Sequence, residues 1–117
     1  MEKFNATDQF HLGPPDIPGF IYVVSSPDMP GLLKVGFTER TVAERLKQLS
    51  AHSTVPRPLI CVWSCATSAA RFHEQETHKL LKPHHHGKEW FRVDLSVVIE
   101  AAESVQREFD RPLEDIV

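Results

Sequence analysis

The sequence predicts an α/β (α+β) fold, a small three-stranded antiparallel sheet flanked by helices, in the order β-β-α-β-α-(β)-α. Three observations carry this. Residues 20–25 and 32–38 read as strands around Pro-Asp-Met-Pro-Gly, a turn signal. Apolar residues recur at helical spacing after Thr41 and again after Asp94. A further run rich in β-formers, LICVWSC at 59–65, separates two helical stretches. A chain of 117 residues with 41% hydrophobic and 25% charged residues is ordinary for one globular domain, so no staple is needed to hold its core.

Residues 1–18 are polar and proline-rich and read as an irregular N-terminal arm. Residues 19–94 form the expected domain, and 95–117 a C-terminal helix and tail packed on it. In the first hairpin, Ile21, Val23, Leu33, Val35 and Phe37 share an apolar face. Tyr22, the only tyrosine, shares the other face with Lys34, Gly36 and Thr38. A five-residue loop places Ser26 opposite Leu32 and Tyr22 opposite Gly36, with Lys34 a diagonal neighbour of Tyr22.

Thr41 and Glu44 form a capping box, followed by Val42, Leu46 and Leu49 at helical spacing, with Arg45 beside that stripe. The segment HSTVPRP is a loop and 59–65 the third strand. Thr67 or Ser68 caps a second helix over roughly 69–82. On it Glu74 and His78 share a face. PHHHGK reads as a loop and EWFRV as a short extended segment. Ser96 caps a last helix whose buried stripe is Leu95, Val98, Ala102, Val105 and Phe109, with Pro112 at its end.

Cys61 and Cys65 are too far apart along a strand to bridge, and without CxxC spacing they do not suggest zinc. They read as reduced, semi-buried residues of a cytoplasmic protein. No apolar run reaches membrane-spanning length. The net charge of −3 is unevenly spread. Residues 33–93 hold ten Lys/Arg against five Asp/Glu, while both ends are acidic. A basic centre suits a polyanion, chance is also a plausible source of such an excess, and charge alone does not decide between them.

In order and spacing these motifs resemble the GIY-YIG nuclease superfamily, most closely a compact subgroup that ends in Glu-Trp-Phe. FIY at 20–22 stands where the family has GIY, and KVG at 34–36 where it has YIG. Arg45, the Glu-x-x-x-His pair Glu74 and His78, VPRPL at 55–59 and GKEWF at 87–91 follow in the family's order. The resemblance runs from about Gly19 to Val93. It implies an endonuclease that hydrolyses DNA phosphodiester bonds with one Mg2+ or Mn2+ ion held by Glu74. Arg45 would stabilise phosphate charge. Tyr22 would contact or deprotonate the attacking water, which requires its phenol to ionise with help from a cation or Lys34. Lys34 replaces the second motif tyrosine, as lysine does in some restriction-enzyme members. Leu49 stands where many members carry histidine, and His52 is a candidate substitute. Gly36, Thr38, Arg40, His78 and Glu89 complete the candidate site-lining set.

Each of these residues also has a plain structural reading. Tyr22 suits a half-buried strand, and Lys34 suits an edge strand as a guard against aggregation. Arg45 could pair with Glu44 or Gln48, and Glu74 with His78 at the surface. Trp90 and Phe91 read as core. His84, His85 and His86 read as a solvated loop with adventitious nickel or zinc affinity. Two other functions stay open, a nucleic-acid-binding module without efficient cleavage and a protein-interaction domain. The acidic last helix offers an interface for a homodimer or a partner protein.

Overall fold

The computed structural model describes residues 17–51 and 59–110. The sheet has five antiparallel strands, β1 (Gly19–Ser25), β2 (Leu32–Thr38), β3 (Ile60–Thr67), β4 (His85–Gly87) and β5 (Trp90–Arg92), in the spatial order β3-β1-β2-β5-β4. Three helices accompany it, α1 (Val42–Ser50), α2 (Ala70–Leu80) and α3 (Leu95–Asp110), with a 3-10 turn at Lys82–His84.

Five strands replace the expected three. The extended segment EWFRV contributes β5, which pairs with β2 through Leu33 and Phe91. The histidine loop contributes β4, through His85 opposite Phe91. Each of these strands has three residues, too few for an alternation to show in sequence.

The first hairpin keeps the expected register, with Tyr22 opposite Gly36 and Val24 opposite Lys34. Its loop closes through Met29 N–H donating to Ser26 O (3.0 Å) and Leu32 N–H donating to Met29 O (3.2 Å). Gly31 takes φ +80°, a left-handed conformation that glycine adopts without a Cβ clash.

One face of the sheet carries the core. Ile21, Val23, Val35 and Phe91 pack with Leu81, Val98 and Ala101. Each fully buried Val, Ile or Phe stabilises the fold by about 1.5–3 kcal/mol. The other face is also covered at its centre, since Tyr22 and Val24 are buried. This contrasts with the half-buried setting expected of Tyr22.

The capping box of α1 is present. Glu44 N–H donates to Thr41 Oγ1 (3.1 Å) and Thr41 N–H to Glu44 Oε1 (3.3 Å). Yet no residue of α1 is fully buried, so the helix lies loosely on the fold. The N-cap of α2 is Ala69, not Thr67 or Ser68, and it has no side-chain cap. Thr67 Oγ1 instead accepts from Ala69 N–H (3.3 Å), and Ile17 O accepts from Ala70 N–H (3.0 Å). Likewise α3 starts at Leu95, where Asp94 O accepts from the N–H of Val97 and Val98, so Ser96 lies inside the helix rather than capping it. Val98, Ala102 and Val105 are buried as expected, and Leu95 and Phe109 are half-buried. Among the described residues no helix is long and apolar enough to cross a membrane.

Candidate functional site

The candidate site is built from the sheet outward. Strand alternation puts Tyr22, Lys34 and Gly36 on the same side of the hairpin. The Tyr22 ring lies directly over Gly36. A Cβ at Gly36 would stand 2.5 Å from the Tyr22 hydroxyl and 2.6 Å from Cζ, closer than real carbons approach. Glycine at 36 is what lets the tyrosine lie flat across the neighbouring strand.

Tyr22 is 1% exposed. Burial pushes its phenol above the ordinary value of 10.0. Arg45, by hydrogen bonding and by charge, pulls the other way, while the carboxylates of Glu89 and Glu74 add to the rise. The net shift is upward, so Tyr22 is a neutral phenol at physiological pH. Arg45 is the cation among the described side chains that favours the expected ionisation, desolvation outweighs it, and Lys34 is engaged by Glu89.

Lys34 forms an ion pair and hydrogen bond with Glu89. The partner is set by topology, because β5 runs beside β2 and Val35 N–H donates to Glu89 O (3.1 Å). Lys34 therefore lies on the central strand of the sheet with a carboxylate partner, not on an edge strand as a guard against aggregation.

Glu74 sits on α2 and is 7% exposed. Burial raises its pKa above 4.5; His78, Lys34 and Arg71 oppose the rise and Glu89 adds to it. His78 Nε2 stands 3.7 Å from Glu74 Oε2 and donates to Val35 O at 2.8 Å. That bond assigns the proton to Nε2. The His78 ring meets Phe91 edge-on at 5.0 Å.

Arg45 is half-buried on α1. Its Nη1 donates weakly to Gln48 Oε1 (3.4 Å), while Nε is buried with no hydrogen-bond partner among the described residues. A buried guanidinium N–H left open is costly unless a ligand completes it.

Tyr22, Lys34, Arg45, Glu74, His78 and Glu89 thus form one electrostatic neighbourhood drawn from β1, β2, α1, α2 and the turn before β5. Arg71 belongs to it and was missed; as an exposed residue one turn before Glu74 it carried no motif signal. Thr38 and Arg40 lie in a different setting. Thr38 is buried, and its Oγ1 accepts from Arg40 N–H (3.0 Å). Arg40 lines an open depression with Glu39, Glu44 and Thr67. His52 lies outside the described residues. His84, His85 and His86 are exposed, and His85 Nε2 donates to Lys88 O (2.7 Å). Cys61 and Cys65 are free thiols, Cys61 exposed rather than semi-buried and Cys65 half-buried as expected.

No group of three or more His, Cys, Asp or Glu side chains is placed to hold a metal ion among the described residues. A thiolate- or imidazole-rich metal site does not fit. A hard cation that keeps several waters and takes one carboxylate is compatible with Glu74, whose desolvated carboxyl has His78 at 3.7 Å as its ion-pair partner among the described residues.

The chain belongs to the T5orf172 domain family, whose model matches residues 19–106. That domain is related to the GIY-YIG nuclease domains. The family match, rather than the geometry alone, gives the coarse functional class, a nuclease-like or DNA-binding module. No curated protein and no solved structure matches the chain.

Proposed function

We propose that this protein is a divalent-metal-dependent endonuclease that hydrolyses phosphodiester bonds in DNA. The observation that carries the reading is the shared neighbourhood of Tyr22, Arg45 and Glu74, side chains from three separate elements. Surface residues with only local partners would have no reason to converge.

Glu74 would hold the Mg2+ or Mn2+ ion, which supplies Lewis-acid polarisation of the phosphate. Arg45 has an Nε–H without a partner among the described residues and an always-charged fork suited to the equatorial phosphate oxygens. Tyr22, held as a phenol, donates to a phosphate oxygen or orients the attacking water rather than removing its proton. Lys34, anchored by Glu89, adds positive charge beside the Tyr22 face. His78 uses its Nε2–H on Val35 O and so fixes α2 against β2.

One observation favours a second reading, a nucleic-acid-binding module with little or no cleavage. Tyr22 is buried and Lys34 is already paired with Glu89, so neither offers a phosphate a free, exposed group.

A substrate panel separates the two. Single-stranded, double-stranded and branched DNA, and RNA, are incubated with Mg2+ or Mn2+ and either wild type or Glu74→Ala. Wild type is expected to cut DNA and Glu74→Ala to lose about a hundredfold or more. Equal cleavage by both would remove the metal assignment. Binding without cleavage of any substrate establishes the second reading.

A further inference from the structure

The end of α2, the 3-10 turn and the β4–β5 hairpin enclose a groove of about 310 Å³, lined by His78, Lys79, Lys82, His85, Lys88 and Phe91. Its lining holds three lysines, two histidines and no carboxylate. The groove between α2 and α3, by contrast, is lined by Phe72, Leu80 and Phe109 with Glu76 and Glu108. Sequence explains the difference. Residues 77–88, THKLLKPHHHGK, contain no Asp or Glu.

The lysines are not equivalent. Lys79 Nζ is paired with Glu76 Oε2 at 2.8 Å. Lys82 and Lys88 have no ion-pair partner among the described residues, and both are exposed. Lys88 has φ +51°, the left-handed region that L side chains avoid, and is the sole non-glycine residue there among the described residues. The hydrogen bond from His85 Nε2 to Lys88 O holds that turn. An unpaired lysine kept in an unfavourable backbone conformation beside two other cations raises local repulsion, which an anion in the groove would relieve.

We propose that this groove binds the phosphate backbone of a nucleic acid and leads it to the Glu74 cluster. His78 joins the two, since it lines the groove and stands 3.7 Å from Glu74. The choice of partner rests on the endonuclease reading. A concave track that ends at a buried carboxylate fits a strand better than a flat lipid surface.

The test measures affinity of the full chain for a short labelled DNA duplex in EDTA across a range of salt concentrations. The double variant Lys82→Gln/Lys88→Gln is expected to bind about tenfold or more weakly at moderate salt, and its slope of log K against log salt to flatten by about 2, one phosphate contact per lysine. Arg107→Gln, which removes a charge from α3, is expected to leave the slope unchanged. Thermal melting of each variant at the wild-type temperature confirms that the fold is intact. A double variant with the wild-type slope overturns the proposal, and so does an Arg107→Gln loss of equal size. Loss of binding to phosphatidylserine vesicles with DNA affinity intact also overturns it. Because EDTA prevents metal-dependent cleavage, the two readings fail separately. A wild type that cuts DNA while the double variant binds normally defeats the groove alone. An inert wild type whose binding still shows the lysine-dependent slope defeats the endonuclease reading alone.

Discussion

Helices α2 and α3 pack against each other and against the sheet, yet they bury opposite kinds of surface. The buried stripe of α3 is Val98, Ala101, Ala102 and Val105. That of α2 is Ala70, His73, Glu74 and Thr77. Both stripes follow helical spacing, but only the first is apolar. An apolar stripe is explained by burial alone. A buried carboxylate and a buried imidazole cost stability, so they point to something other than packing. The difference teaches that α3 holds the fold by apolar burial, while α2 buries polar groups at a cost in stability.

That division can be broken most sharply at Glu74. Glu74→Gln keeps the side-chain shape and removes the charge. We expect metal-dependent cleavage to fall by about a hundredfold or more. Stability should move the other way. The folded pKa is raised above 4.5, so the native state binds a proton more readily than the unfolded chain, and ionised Glu74 destabilises the fold at pH 7. Glu74→Gln should therefore melt at or above the wild-type temperature at pH 7, and the advantage should vanish as pH falls below 4.5. A lower melting temperature at pH 7 would show that Glu74 is structural.

Val98→Ala tests the other helix. Val98 is fully buried in the core cluster, and truncation should cost about 2 kcal/mol in denaturant unfolding. Affinity for DNA should be unaffected once the variant is folded. A variant of wild-type stability with weakened binding would reverse the roles assigned to the two helices.

A smaller effect belongs to His73, buried where α2 meets α3. Its Nε2 donates to Ala102 O at 2.8 Å, and its Nδ1 has no partner among the described residues. Burial lowers its pKa below 6.5, with the Ala102 bond opposing. Below 6.5 the unfolded chain takes up the proton first, so the stability tied to neutral His73 is complete above that pH and lost as pH falls through it. Melting temperature should drop between pH 7 and pH 5 more in wild type than in His73→Leu. Equal pH dependence in both would place the acid sensitivity elsewhere.

The smallest expected change is at Thr77, which is fully buried and donates from Oγ1 to His73 O at 2.8 Å. That carbonyl also has its helical partner, so Thr77→Val should change stability by less than about 1 kcal/mol in a urea melt. A larger loss would show that the polar stripe of α2 acts as a connected network.

The same contrast explains what was legible in the sequence. The hairpin register followed from strict alternation at 21–23 and 33–37 and from a loop with two prolines and a glycine. The stripe of α3 followed from its apolar period. The stripe of α2 did not, because His73 and Thr77 read as exposed residues in any scale of transfer energy. Strand β4 was hidden in three residues whose pairing depends on β5. The starts of α2 and α3 were misplaced because a nearby hydroxyl reads as a cap in sequence, whereas α2 has no side-chain cap and α3 begins one residue before Ser96. At α3 the carbonyl of Asp94 took the role given to Ser96. Of the candidate site, Tyr22, Lys34, Arg45 and Glu74 were legible through their order along the chain. The pairing of Lys34 with Glu89 required knowing that β5 lies beside β2, and local pattern does not supply a long-range neighbour.

The contact between Tyr22 and Gly36 has a consequence for how this hairpin can vary. The two positions occupy one volume, since the ring on one strand fills the space that a side chain on the other would need. A side chain at position 36 therefore requires the Tyr22 ring to move or to be replaced by a smaller one, and a library that varies position 36 should vary position 22 with it.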